Sequence, residues 1–260
     1  MEEIGWAVDD HIATITLNRP QAHNAFTLPM IREWERLLAR SKNDDDIRVV
    51  VLTGAGDRAF CSGVDLSWLA EAHTPLQRKR DLHEGIQRVA LAVDDLDKPI
   101  IAAINGVAVG AGLDMALMCD MRVMSTTARL SEGYVKLGLA PGDGGAYYLP
   151  RLIGIARALE LLLTGDYVDA DAALRIGLVN RIATPELLSA ETLRLAAALA
   201  ANPPASVRMI KRATRQSANV DLRTALDLAS SHLAVLATTE DAAEALAAVR
   251  EKRVGSYYGR

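Results

Sequence analysis

Apolar and polar residues alternate through Ile12–Leu17 (IATITL), which predicts a half-buried strand, and the run around Ile4–Val8 predicts its partner. Asn18-Arg19-Pro20 interrupts the pattern. From Thr27 the period changes. Met30, Ile31, Trp34, Leu37 and Leu38 recur at helical spacing, and Asn43-Asp44-Asp45-Asp46 ends that helix in a solvated turn. Ile47–Thr53 (IRVVVLT) is rich in β-branched residues and reads as a buried strand. Phe60–Leu69 passes from strand to helix through Gly63. Asp65 falls early in that helix, where a plain cap explains its charge. His73–Asp95 is polar and mostly helical, with its charges on a solvent face. Met121–Ser125 predicts a strand, and Leu130–Gly145 a glycine-rich loop carrying Glu132, Tyr134 and Asp143. Ile155–Leu163 predicts a helix stopped at Thr164-Gly165, Asp169–Ile176 a short helix closed by Gly177, and Leu178–Ile182 a strand. Beyond Pro185 alanine and leucine dominate, and helical periods cover Leu187–Ala201, Ser206–Gln216, Leu222–Leu236 and Thr239–Arg253. The expected division is an α/β core over residues 1–195 and a helical region over 196–260 that packs on its own domain or a neighbouring subunit.

The chain is organised around Ile100–Met118 (IIAAINGVAVGAGLDMALM). A β-branched run ends at Asn105-Gly106, a small-residue loop follows from Val107 to Gly112, and helix-forming residues begin at Leu113. Gly106, Gly110 and Gly112 let backbone approach a ligand closely. The first turn of a helix leaves N–H groups unpaired, which suits an anion, including a transient one. Asp114 lies three residues after Ala111 and so on the same helix face. The competing reading is a buried strand packed tightly against a helix. The glycine spacing is not a dinucleotide fingerprint, because Met115 stands where the last glycine belongs.

Composition narrows the chemistry. The 260 residues are 50% hydrophobic and 24% charged, as in an ordinary soluble protein. A net charge of −4 gives no basic footprint for nucleic acid, and aromatics at 4% give no stacking platform. Cys61 and Cys119 are far apart, so a reduced, cytoplasmic protein without a disulfide framework or zinc site is expected. Met1-Glu2-Glu3 leads into no signal-peptide pattern, and no apolar run is long enough to span a bilayer. The five histidines have no metalloprotease spacing, and no G-x-S-x-G elbow occurs. What remains is a pair of strand–glycine–helix passages, Ser62-Gly63-Val64-Asp65 and Gly110-Ala111-Gly112. Together they can place two backbone N–H groups on one carbonyl oxygen, and losing one such donor costs about 3–4 kcal/mol of transition-state stabilisation.

At this point the sequence resembles the enoyl-CoA hydratase/isomerase (crotonase) family. The matching segments are NRPQAHNAF (Asn18–Phe26), AFCSGVDL (Ala59–Leu66), KPIIAAINGVAVGAGLDMAL (Lys98–Leu117), LGLAPGDGG (Leu137–Gly145), TGDYVDADAALRIGLVN (Thr164–Asn180) and EDAAEALAAVREKR (Glu240–Arg253), in family order. The resemblance implies an α/β fold, a crotonase-like spiral of ββα units with a helical C-terminal trimerisation region. It implies a homotrimer or a dimer of trimers, acting on an acyl-CoA thioester whose enolate is stabilised in an oxyanion hole. It implies no metal, and no cofactor beyond the coenzyme A of the substrate. By position Val64 and Ala111 match the oxyanion donors and Asp114 the first catalytic carboxylate. Arg19, His23, Ala25, Phe26, Ala59, Ser62, Gly63, Asp65 and Leu66 match the CoA-binding edge. Gly110, Pro141 and Gly142 line the same site, and Lys211 sits on a helix that in relatives can approach CoA from the next subunit.

The sequence departs from the family pattern at one place. Where hydratases that resemble this chain carry a second glutamate, Tyr134 stands, and Gly133-Tyr134 replaces the common P-E pair. Hydration needs one group to activate water and another to protonate carbon, and a tyrosine is a poor base. Tyr134 is then a proton donor or a pocket wall, and Glu132 or Asp143 a substitute carboxylate. Hydration of a 2-enoyl-CoA and a double-bond shift both stay open, as does a member that binds acyl-CoA with little or no turnover.

Overall fold

The computed structural model describes residues 2–70 and 73–260. Met1, part of the N-terminal reading above, lies outside the described residues. Six strands form the main sheet in the order Ile4–Asp9, Ile12–Leu17, Val49–Gly54, Ile100–Ile104, Met121–Ser125, Arg181–Ala183. The first pair is an antiparallel hairpin with Ile4 opposite Leu17, and the remaining pairs are parallel. Both faces are covered, which is why the inner strands read as continuous β-branched runs. On one face Ile15, Leu17, Val50, Leu52, Ile100 and Ile104 share a core with Met30, Ile31, Trp34, Leu37 and Leu38 of helix Leu28–Asn43. Thr27 caps that helix by accepting from the Met30 N–H. On the other face Val49, Val51, Ile101, Ala103 and Val123 meet Leu188, Leu195, Ala196 and Ala200. The period of two puts neighbouring valines on opposite faces.

The expected boundary at 195/196 falls inside helix Leu188–Ala200, whose two halves both cover this sheet, so the core continues through Ala200.

A second, four-stranded sheet joins Ala59–Cys61, Val107–Val109, Arg129–Ser131 and Val168–Asp169. It corrects two expectations. Val107–Val109 is a strand paired in parallel with Ala59–Cys61, not loop. Leu130–Gly145 opens in a strand and continues through a 3-10 turn, Gly133–Leu137, to a helix at Gly145. Strands this short carry no local period; their partners, far away in sequence, define them. For the same reason the last strand is Arg181–Ala183, while Leu178 and Val179 ahead of it are buried in the core. The charged stretch His73–Asp95 holds helices Pro75–Asp81 and Gln87–Asp94 around a π-helical turn, Leu82–Ile86, and buries Ile86, Val89 and Val93.

After Ala200 come helices Pro204–Ser217, Leu222–Leu236 and Glu240–Glu251. No described helix is long and apolar enough to cross a membrane.

Candidate active site

Both glycine passages leave parallel strands at their carboxyl ends and come together there. Gly63 takes φ +99° and Gly110 φ +52°, values that glycine adopts without strain. A Cβ on Gly63 would sit 3.1 Å from the Val109 carbonyl and 3.6 Å from the Ala111 nitrogen. A Cβ on Gly112 would collide with the Cys61 carbonyl. The two backbones therefore touch only because neither carries a side chain at these points.

The pairing also aims the amides. The Phe26 N–H donates to Gly63 O and the Asp65 N–H to Phe26 O, both at 2.9 Å, so the Val64 N–H between them faces away from Phe26. Ala111 opens helix Ala111–Leu117, where the first N–H groups have no intrahelical acceptor. Among the described residues no main-chain carbonyl outside that helix takes either N–H.

One helical turn on, Asp114 is fully buried, and Glu132 and Asp143 are buried beside it. The Tyr134 hydroxyl stands 2.7 Å from Asp114 Oδ2 and 3.2 Å from Asp143 Oδ2, and its ring lies against Gly110. A Cβ on Gly145 would meet Asp114 Oδ1 and lie 3.0 Å from both Glu132 oxygens, so this glycine makes the space in which the two carboxyls meet.

Burial pushes Asp143 up to about 6, against the Tyr134 hydrogen bond. Burial also raises Asp114; Tyr134, Glu132 and the Gly145 N–H counter it, and the Asp143 charge adds to it. Glu132 is raised by burial and then by Asp114, and the Tyr134 phenol by burial and the neighbouring carboxylates. None of these perturbing groups is a cation. Among the described residues no His, Cys, Asp and Glu cluster suits a metal ion.

The other expected site residues divide into two groups. Arg19 donates from Nη1 to Asp65 Oδ2 and to Ala25 O, both at 2.8 Å. Asp65 also accepts from the Ser67 hydroxyl and N–H, and with Arg19 this holds it down at about 2. It is thus both the turn cap and the partner of Arg19. His23 adopts a left-handed conformation, and its carbonyl accepts from the Ser62 N–H. Ala25, Phe26 and Ala59 are buried around the Gly63 passage, whereas Leu66 is exposed. Gly142, after Pro141, accepts from Gln87 Nε2 at 2.7 Å, which ties the Asp143 loop to the helical stretch.

Lys211 is held by its own chain. Its ammonium is buried, 2.7 Å from Asp120 Oδ2 and 2.7 Å from the Lys98 carbonyl. Asp120 in turn accepts from the Ile100 N–H at the start of that strand, so Lys211 sits at the opposite end of the sheet from Gly110.

Sequence reasoning missed two residues. Asn24 is buried, accepts from the Arg19 N–H, and donates to Ala55 O and Ala59 O. It stitches the two entry segments, and its place between His23 and Ala25 in the first matching segment was the available signal. Gln87 had none, being one polar residue on a polar helix.

A family model described as enoyl-CoA hydratase/isomerase matches residues 8–260. The chain is 37% identical over 242 residues to a short-chain-enoyl-CoA hydratase of Clostridium acetobutylicum, covering 93% of this chain and 92% of that one. It is 34% identical over 264 residues to a 1,2-epoxyphenylacetyl-CoA isomerase of Escherichia coli, covering all of both. The crystal structure of an enoyl-CoA hydratase from Bacillus anthracis superposes with a TM-score of 0.96 at 35% identity, over the full length of both chains.

Proposed function

The chain belongs to the enoyl-CoA hydratase/isomerase family, and from that premise we propose that this acyl-CoA enzyme shifts the double bond of an enoyl thioester. The observation that carries the reading is the Tyr134 hydroxyl bonded to Asp114 at 2.7 Å, where hydratases resembling this chain have a second carboxylate. The Val64 and Ala111 N–H groups donate to the thioester oxygen. Asp114 removes a proton from C2 of a 3-enoyl thioester, the electron pair passes to the held oxygen, and the dienolate takes the same proton back at C4. The reverse direction starts at C4 and ends at C2. No water is consumed, so one buried carboxylate suffices. Tyr134 donates to that carboxylate and is not the base, since burial and its neighbours raise the phenol. The Arg19–Asp65 pair and the His23–Phe26 segment form the edge for the CoA portion. Exposed Leu222, Leu226, Leu233 and Val249 on the helical region support assembly into trimers or paired trimers.

Hydration is the second reading, favoured by Asp143, a second carboxyl group one hydrogen bond from Tyr134. An assay with crotonyl-CoA and a 3-enoyl-CoA separates them. Conversion of the 3-enoyl thioester to the 2-enoyl isomer, lowered about 10²–10⁴-fold in Asp114→Asn, is the expected result. Rapid water addition to crotonyl-CoA would favour hydration, and tight binding without conversion would favour a binding protein. Unchanged turnover in Asp114→Asn would remove Asp114 from the reaction.

A further inference from the structure

Three carboxyl groups, Asp114, Glu132 and Asp143, are buried together with one phenol. Two of them meet the Tyr134 hydroxyl, which lies 2.7 Å from Asp114 Oδ2 and 3.2 Å from Asp143 Oδ2, and its single proton serves the nearer oxygen, that of Asp114. Glu132 has no such contact: both its oxygens are buried without a donor among the described residues, and so is Asp114 Oδ1. The Glu132 and Asp114 carboxyls crowd one point beside Gly145: a Cβ there would lie 3.0 Å from both Glu132 oxygens and would meet Asp114 Oδ1. Ionised carboxylates buried side by side with no cation cost far more than one shared proton. Asp114 and Asp143 each have one oxygen against the Tyr134 hydroxyl, whereas Glu132 has no partner at either oxygen, so Glu132 is the member that holds the proton, and its O–H then satisfies the orphaned Asp114 oxygen.

We propose that Glu132 is a neutral acid at physiological pH that donates its proton in a hydrogen bond to Asp114 Oδ1, and that it acts as the positioning residue that keeps Asp114 ionised and fixed in one orientation. The groups facing the pair are Tyr134 from the 3-10 turn, Asp143 from the loop before Gly145, and the Gly145 N–H; each is neutral or acidic. Glu132 acts through Asp114 and touches no substrate. The use of the ionised Asp114 rests on the function proposed above; the location of the proton does not.

The two parts have separate tests. Infrared spectroscopy of the unliganded protein at pH 8 is expected to show a protonated-carboxyl carbonyl band that shifts in deuterium oxide. The band is expected to vanish in Glu132→Gln and persist in Asp143→Asn. No such band in the parent protein, or a band that survives Glu132→Gln, overturns the proposal. The second readout is the acid limb of the pH dependence of kcat/KM on an enoyl-CoA. A glutamine still donates to Asp114, so Glu132→Gln is expected to keep the parent's limb. Glu132→Leu removes the donor and is expected to move the limb up by about one pH unit or more. Equal limbs in the two variants, with both folded by circular dichroism, overturn the positioning role. If Asp114→Asn leaves turnover intact, the proposed reaction fails, while the infrared result still decides where the proton sits.

Discussion

The Tyr134 hydroxyl donates to Asp114 Oδ2 at 2.7 Å, tying a phenol from a 3-10 turn to a carboxylate from the first turn of a separate helix. Removing that donor raises the Asp114 pKa, because the hydrogen bond favours the ionised form. A hydrogen bond to a charged group is worth about 1.5–3 kcal/mol. Tyr134→Phe is therefore expected to move the acid limb of kcat/KM up by about one to two pH units. The loss in rate is larger at pH 6 than at pH 9. A profile that falls equally at all pH values would show that Tyr134 acts only as a wall.

Asp143 gives a stability prediction with a definite sign. Its folded value is about 6, above the unfolded carboxylate near 3.9. Between those values the folded protein binds the extra proton, so stability falls as pH rises through about 4 to 6 and is level above that. Asp143→Asn removes the penalty, with an expected gain of up to about 3 kcal/mol at pH 8 and none near pH 4. Urea unfolding of parent and variant at the two pH values measures it. A gain of equal size at both would assign the effect to packing.

The contact between the two glycine passages is steric. Gly112→Ala must push a methyl group into the Cys61 backbone. It is expected to destabilise the protein by more than about 3 kcal/mol, since backbone on both sides has to shift. At Gly63 the neighbouring atoms lie at 3.1 Å and beyond, and the backbone angle of +99° supplies the strain, so Gly63→Ala is expected to cost about 1–3 kcal/mol. Denaturation midpoints for both variants test the order.

Lys211 sets the expected CoA contact against a structural role. Lys211→Met leaves Asp120 with Arg215 at 2.8 Å as its remaining ion-pair partner. The expected cost is about 2–3 kcal/mol of stability, less than for a pair broken outright. KM for an enoyl-CoA is expected to stay within about twofold. A KM raised tenfold with stability intact would return Lys211 to the CoA site.

Much of the architecture is legible along the chain. Strands Ile100–Ile104 and Met121–Ser125, the helix of Trp34 and Leu38, and the C-terminal helices are long or strongly patterned, so local residues are enough to define them. The glycines and Asp114 are legible too, because a backbone approach and a charge at a helix start leave marks at fixed spacing. The short strands Val107–Val109 and Arg129–Ser131 are not, since their hydrogen bonds go to segments far away in sequence.

From its sequence alone this chain has two strand–glycine–helix junctions, a carboxylate one turn after the second, and a tyrosine where a second carboxylate was expected. Local spacing determines the junctions and the carboxylate, because helix and strand periods act over a few residues, while the tyrosine stands out only against the family that the sequence resembles. Only the tertiary structure decides that Tyr134 spans Asp114 and Asp143, that Glu132 lies against Asp114 without a donor, and that Lys211 is locked at the far end of the sheet. Burial and hydrogen-bond partners come from segments brought together by folding, and they set what a carboxyl group or an ammonium can do.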